Sequence, residues 1–478
     1  MTEDVKIVLS PGTILNNEVF EQVKDLSGNF KYVYLSDKIP RLKVLTKEYI
    51  NKEVNEKDIQ YHPLKQVGWK LCIDNQTDNE MYLENLYERF DKTQLWQDVR
   101  LFIYKYLDLS DEKQYDIITS WIFCTWISEV IPVVPYLFFY GVKESGKTKG
   151  LEILRDLCYR GILNTNISIP ALYRSIEEYN PTLLIDESDS WTKEHRQQMI
   201  GILNSGYRKG SNAIRVTGKA FNKLQFFKTF GFKAIAGTRQ LKDTLESRCI
   251  IIYMMANRRN IKLFIDSEEA TSLRNRLLFW RLSFFKKYQQ NIKSDGSDGG
   301  DGYLGGIDKK LEAEIPEVLR ATKSGRLIEL FFFLWKYADP LSKEAILEYA
   351  LEEQKKHSIL NEISIEAEII QIIVDFSFIS ESNFIPTSDI TTQFNIVRAI
   401  KDHWKNSSVG MVLRNLGFSS KRTNKRRGIE LKKSHLQHLC TRYNIEFKLS
   451  KPSSKDTNLS PVDPSPPSLP SLIDGKVK

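Results

Sequence analysis

Between residues 133 and 254, apolar runs of strand length alternate with stretches of helical period. Val133 to Tyr140 is apolar, β-branched and aromatic, which predicts a buried strand. Lys147 to Tyr159 carries Leu151, Leu154, Leu157 and Cys158 on one side and stops at Gly161, which predicts a helix. Ile162 to Ile167 can be a strand, and Pro170 sits where the next helix begins. Thr182 to Ile185 reads as a strand, Thr192 to about Tyr207 as a helix, and Phe232 to Ala236 as a strand. A short helix at Leu241 to Ser247 and a strand at Cys249 to Met254 complete the series. Such alternation predicts an α/β fold, a parallel sheet with crossover helices on both faces.

The flanks differ. Residues 94–107 and 111–130 read as helices, and in the second Ile117, Ile118, Trp121, Ile122 and Trp126 recur at core spacing. Residues 1–90 hold short apolar runs that fit strands or short helices and no motif, an N-terminal mixed or helical domain of unknown role. Residues 91–259 form the core with its preceding helices. Residues 260–361 are helical in pattern, a lid or linker, broken by a glycine and aspartate run from Ser294 to Gly302 that reads as a flexible loop. In residues 362–448, Ile365–Phe376, Thr387–Phe394 and Val409–Leu416 read as helices. Ser419–Lys433 reads as two short strands around a basic tip, and Ser434–Tyr443 as a last helix, so a winged helix is expected. Residues 449–478, rich in proline and serine, read as a disordered tail.

Composition adds little to this. The 478 residues carry a formal net charge of +8, which weakly favours an anionic partner such as nucleic acid. Cys72, Cys124, Cys158, Cys249 and Cys440 are scattered and form no CxxC pair, so a reducing, cytoplasmic setting is expected. His435, His438 and Cys440 have metal-like spacing, lack a fourth ligand and fit a packed terminal helix. Met1-Thr-Glu-Asp-Val does not open a signal peptide, and Ser128, Glu129, Pro132 and Pro135 interrupt the most apolar stretch, so no membrane partner is expected.

The candidate chemistry lies in the alternating region. Gly141, Val142, Lys143, Glu144, Ser145, Gly146, Lys147 and Thr148 match G-x-x-x-x-G-K-[ST], between a strand and a helix. Its backbone N–H groups cradle phosphates, Lys147 neutralises the β- and γ-phosphates of ATP, and Thr148 ligates Mg2+. Thr182-Leu-Leu-Ile-Asp186-Glu187 is a buried strand ending in two carboxylates. Asp186 then stands near the magnesium, and Glu187 polarises the attacking water.

Two further features follow in order. Ala234-Ile-Ala-Gly-Thr238 resembles the sensor-1 strand of AAA+ ATPases, with Thr238 where Asn is commoner. Arg248, between a short helix and the last strand, resembles the AAA+ arginine finger, which acts on a neighbour's γ-phosphate. Residues 136–254 thus resemble an AAA+ ATPase core, and in the following helices Arg326 is the candidate sensor-2 arginine, with Arg320, Arg274 and Arg276 as competitors. Ala213–Thr217 and Ala220–Leu224 flank Gly218-Lys219, and glycine first in a two-residue turn signals a hairpin. A hairpin before sensor 1 resembles the pre-sensor-1 hairpin of superfamily 3 and minichromosome maintenance helicases. That resemblance puts Lys219 at the tip toward DNA, with Arg215 and Lys223 beside it. "PTLLIDE" and "NSGYRKG" are similar to segments of phage, plasmid and archaeal replication ATPases.

Lys421, Arg422, Lys425, Arg426, Arg427, Lys432 and Lys433 crowd the expected wing, a pattern suited to phosphate contacts with duplex DNA. The reading is an ATP- and Mg2+-dependent DNA motor, a replicative helicase of a mobile element. An arginine finger requires a neighbour, and head-to-tail contacts close into a homo-hexamer or other ring. The alternatives are an AAA+ initiator or loader and an ATP-switched DNA-binding regulator.

Overall fold

The computed structural model describes residues 6–9, 12–15, 18–25, 30–35, 42–45, 59–62, 72–73, 91–188, 192–217, 223–241, 243–294, 307–362, 364–379, 383–423 and 426–447. Lys219, Lys425, the glycine and aspartate run beyond Ser294 and the tail 449–478 lie outside them. The chain divides into two compact units, Met1–Gln354 and Lys355–Lys478.

In the N-terminal region the described elements are strands: β1 (Lys6–Leu9), β2 (Gly12–Leu15), β3 (Glu18–Asp25), β4 (Phe30–Leu35), β5 (Leu42–Leu45), β6 (Ile59–His62) and β7 (Cys72–Ile73). β1 and β6 pair in parallel, β2 to β5 form an antiparallel meander, and β7 runs parallel to β3. Val19, Phe20 and Val23 of β3 and Tyr32 to Leu35 of β4 are buried. Glu21 is buried with them. It meets Arg160 at 3.0 Å and Arg281 at 2.8 Å, and accepts the Tyr159 hydroxyl at 2.8 Å. This ionic cluster joins the N-terminal strands to the rest of the first unit.

α1 (Lys92–Tyr106) and α2 (Lys113–Thr125) come next. α2 is buried on every side from Gln114 to Thr125, as a helix inside a large core must be. Trp121 and Trp126 are core residues, and each donates its indole N–H to a carbonyl, Pro135 O at 2.8 Å and Leu157 O at 2.9 Å.

The alternating region follows: β8 (Tyr136–Gly141), α3 (Lys147–Leu157), β9 (Gly161–Asn164), α4 (Ile169–Tyr179), β10 (Thr182–Ile185), α5 (Lys193–Ser205), β11 (Asn212–Thr217), β12 (Lys223–Lys228), β13 (Lys233–Gly237), α6 (Asp243–Glu246) and β14 (Cys249–Met254). Five of the described strands form a parallel sheet in the order β14-β8-β13-β10-β9. β10 and β13 are buried along their whole length, as strands covered on both faces are. This is a P-loop type of α/β core. The order has a consequence for chemistry: β13 is inserted between β8, which ends in the cradle, and β10, which ends in Asp186-Glu187.

α7 (Ser267–Ser294), α8 (Ile307–Glu314), α9 (Glu317–Ala321), α10 (Gly325–Tyr337) and α11 (Lys343–Glu362) fill the segment expected as lid or linker. α7 packs on α3 and α1, and α10 packs on α2. No described helix is long and apolar enough to cross a membrane.

The second unit contains α12 (Ile365–Ile379), β15 (Phe384–Pro386), α13 (Thr387–Asn395), α14 (Asn406–Asn415), β16 (Ser420–Thr423), β17 (Arg426–Glu430) and α15 (Lys433–Arg442). Helices and two strands lie at the positions where they were expected. β15 was not expected, and it pairs antiparallel with β17 to give the order β15-β17-β16. Ile369, Ile373, Phe394, Val409, Leu413 and Leu436 form its core. His435 sits against this core, with its Nε2 2.9 Å from Leu416 O.

Candidate nucleotide site

The cradle leaves β8 at Gly141. A Cβ there would lie 2.1 Å from Met254 O, so glycine is what lets the end of β14 close against the loop. Glu144 and Gly146 take left-handed backbone, φ 62° and 86°, and Gly146 caps α3. Ser145 is buried and donates to Val142 O at 2.8 Å. Lys147 Nζ bends over the loop and donates to Gly141 O at 2.9 Å. Val142, Lys143 and Glu144 are exposed.

Thr148 Oγ1 donates to Asp186 Oδ2 at 2.8 Å. Asp186 is buried, and its Oδ1 accepts the Glu187 N–H at 2.8 Å. Glu187 is exposed and has φ 50°, a left-handed backbone that is costly for a side-chain-bearing residue. Ser188 Oγ donates to Ala236 O at 2.9 Å, which ties the chain after Glu187 to β13. The strained residue is therefore pinned from both sides. A threonine hydroxyl and a carboxylate oxygen are the hard donors that magnesium takes, so this pair fits the metal expected from the motif.

Register brings the third group into line. Gly237 of β13 lies opposite Tyr140 of β8, and Ile235 lies opposite Ile185 of β10. The residues that follow (Gly141, Thr238 and the Asp186-Glu187 pair) therefore emerge side by side at one edge of the sheet. Thr238 is exposed there, between the cradle and the carboxylates.

Arg248 stands at the opposite edge. Its carbonyl accepts from Tyr136 N at 3.0 Å, at the start of β8. β14 pairs Cys249 with Tyr136 and Met254 with Gly141, so the length of the strand, about 17 Å, separates Arg248 from its own cradle. Arg326 of α10 keeps company with Arg248 and not with the cradle. The two guanidinium groups lie 5.0 Å (Arg326) and 5.7 Å (Arg248) from the ring centroid of Tyr207. Glu329 accepts Arg326 at 2.7 Å and the Tyr207 hydroxyl at 3.3 Å, and pairs with Arg208. Burial, and behind it the Arg326 charge, lowers the Arg248 guanidinium below its ordinary range. The Arg248 Nε is buried without a hydrogen-bond partner. The tyrosine platform and Glu329 were not singled out in the sequence, where they stand 122 residues apart.

The hairpin is a two-stranded ribbon with a register other than the expected one. Thr217 lies opposite Lys223 and Ala213 opposite Phe227, where a two-residue turn at Gly218-Lys219 would have put Thr217 opposite Ala220; residues 218–222 lie outside the described residues. Phe227 decides this: it is buried with its ring 5.5 Å from Tyr173 of α4, and a shift by one residue would turn it to solvent. Arg215 lies over the same Tyr173 ring at 4.6 Å and bonds its hydroxyl, so it fastens the ribbon to α4. Lys219 and the Lys223 side chain lie outside the described residues.

In the β16–β17 pair and its neighbours, Lys421 pairs with Glu430 at 2.7 Å and Arg426 lies 3.7 Å from Asp389. Arg427 donates to Ser420 Oγ at 2.9 Å and stands opposite Arg422, both exposed. A groove of about 510 Å³ opens beside them, lined by Thr387, Asn406, Arg414, Arg426 and Arg427 among others.

No protein-family model and no curated protein matches the chain. Among solved structures, it is similar to an active helicase, SCCmec type IV Cch, at 12% identity and TM-score 0.39, over 91% of this chain and 80% of that one. It is also similar to the apo NrS-1 C-terminal region at 12% identity and TM-score 0.32, over 86% and 96% of the two chains. An inhibitor-bound JCV helicase matches at 17% identity and TM-score 0.24, over 53% and 70%. At these TM-scores the likeness carries no weight for fold or function, which rest on the residues themselves.

Proposed function

We propose that this chain hydrolyses ATP at an interface between copies of itself and uses the cycle to move along and separate DNA, as a ring-forming AAA+ helicase. One observation carries the reading: the groups suited to phosphate and water lie together at one edge of the sheet, and Arg248 is held at the other. An arginine so placed serves a neighbour's nucleotide.

Each residue has a task in the step. The loop N–H groups at the start of α3 and the Lys147 ammonium bind the phosphates. Thr148 and Asp186 hold Mg2+, which when bound neutralises phosphate charge. Glu187, fixed in its strained turn, orients the attacking water and takes its proton, and Thr238 positions that water from β13. Arg248 of the adjacent subunit meets the charge that builds on the γ-phosphoryl oxygens. Arg326 shares the Tyr207 platform, so it too is offered to the neighbour. The ribbon and the basic wing supply phosphate contacts to DNA, with Lys219, Lys223, Arg422, Lys425 and Arg427 as the contacting cations and Arg215 as the anchor of the ribbon. In the wing, Lys421 and Arg426 share their charge with Glu430 and Asp389.

The test is steady-state ATP hydrolysis with and without single-stranded DNA, paired with strand displacement on a forked duplex. Hydrolysis stimulated by DNA, with displacement that requires ATP, is expected. Hydrolysis indifferent to DNA and no displacement would overturn the motor reading.

A further inference from the structure

Tyr207 lies in the loop that leaves α5, yet it is held like a strand residue. Lys209 N donates to Pro132 O at 3.0 Å and Val134 N donates to Tyr207 O at 3.1 Å, around an antiparallel bridge between Val133 and Arg208. This fixes its backbone to the chain that enters β8. The side chain is buried, with its ring edge-on to Tyr136 at 6.0 Å and 88°. Tyr136 is fixed in turn, its hydroxyl donating to Leu203 O at 2.8 Å. The Tyr207 hydroxyl donates to Glu329 at 3.3 Å.

Three arginines gather at this ring and its carboxylate. Arg326 and Arg248 lie over the ring, and Arg208 pairs with Glu329, which also accepts Arg326. Glu329 thus engages Arg326 and Arg208, whereas Arg248 bonds a neutral group, Thr244 O. The electron-rich face of the ring attracts both like-charged guanidinium groups and offsets their repulsion. A free arginine side chain has many rotamers to give up when it meets an anion. One already laid against a fixed ring has fewer, and is in place when transition-state charge develops.

We propose that Tyr207 is a positioning residue for ATP hydrolysis: its ring holds Arg248, with Arg326 beside it, in the orientation in which they meet a neighbour's nucleotide. The inference rests on the interfacial-site reading and adds to it the residue that presents the arginines. It also gives the NSGYRKG segment a task apart from phosphate and water. Tyr207 stands by the start of β8, and its own cradle follows the end of that strand. Its effect therefore falls on the arginine side of the interface and spares the cradle side.

The experiment is steady-state ATP hydrolysis, alone and in subunit mixtures, with Tyr207→Phe and with pentafluorophenylalanine placed at position 207 of the full chain. The first variant keeps the ring and loses the hydroxyl bond. The second keeps the shape and reverses the charge distribution of the ring face. Tyr207→Phe is expected to turn over ATP within about threefold of wild type. The fluorinated ring should slow kcat roughly five- to thirtyfold, with KM for ATP within about twofold of wild type. Mixing it with Lys147→Ala, which brings an intact arginine side, should raise turnover per fluorinated subunit. Mixing it with Arg248→Ala should not, because neither partner then brings one. Wild-type turnover with the fluorinated ring, or rescue by both partners or by neither, overturns the proposal. So does a loss in Tyr207→Phe as large as that of the fluorinated ring, since the hydroxyl then carries the effect. If Lys147→Ala and Arg248→Ala do not complement each other, the interfacial-site reading itself falls.

Discussion

Thr148 Oγ1 donates a 2.8 Å hydrogen bond to Asp186 Oδ2 across 38 residues of sequence. The bond joins the first turn of α3 to the end of β10, with β13 running between the strands on which both depend. It makes the two motifs one site, and it gives the hydroxyl and carboxylate a common direction.

Separation of binding from hydrolysis should follow. Glu187→Gln keeps the cradle and the Thr148–Asp186 pair, so a fluorescent ATP analogue should bind within about threefold of wild type, while turnover falls roughly a hundredfold or more. Lys147→Ala should lose binding and turnover together. Equilibrium binding and phosphate release on the same preparations check both. Normal turnover in Glu187→Gln would remove it from the role of base.

How much of this was open to sequence reasoning depends on how local each feature is. The cradle and Asp186-Glu187 occupy consecutive residues, and the alternation of strands and helices is a periodic signal, so both were legible. The strand order was not, because periodicity does not encode neighbours in a sheet. Only the order puts Thr238 between the cradle and the carboxylates. Arg326 was expected at the nucleotide, but its partners Tyr207 and Arg248 lie far from it in sequence. The ribbon register was misread because Gly218-Lys219 has a turn composition, whereas the Phe227–Tyr173 contact that sets the register is long-range. β15 spans three residues, too few to show a period.

Glu21 was equally invisible, since its partners stand 139 and 260 residues away. Its removal takes one carboxylate from the buried Arg160 and Arg281 guanidinium groups, of which Arg281 keeps Glu129. Glu21→Ala should lower stability by about 3–5 kcal/mol, read from the denaturant midpoint of the first unit. A change under about 1 kcal/mol would contradict a buried cluster.

Lys233 provides a pH test. It is buried, its ammonium donates to Thr229 O at 2.8 Å and Gly231 O at 2.9 Å, and it lies over the Tyr136 ring. Burial pulls its pKa down to about 7, against about 10.4 in an unfolded chain. Between those values the unfolded chain carries the extra proton, so stability rises with pH there. Below about 7 both states are protonated and the burial penalty is fully present. Lys233→Met removes this titration. Relative to Lys233→Met, the wild type should gain up to about 1.4 kcal/mol per unit as pH rises from about 7 to about 10. Urea midpoints of the pair across that range check it, and a difference independent of pH would contradict it.

The central claim is that the nucleotide lies between subunits, with Arg248 given to a neighbour's cradle. Mixing two dead variants measures this directly. Lys147→Ala lacks a working cradle but keeps Arg248, and Arg248→Ala lacks the arginine but keeps its cradle. Each alone should hydrolyse ATP roughly a thousandfold slower than wild type or worse. A mixture should recover a substantial share of wild-type turnover, at sites pairing one intact cradle with one intact arginine. Wild-type hydrolysis by Arg248→Ala alone, or a mixture as inactive as its parts, would contradict the account.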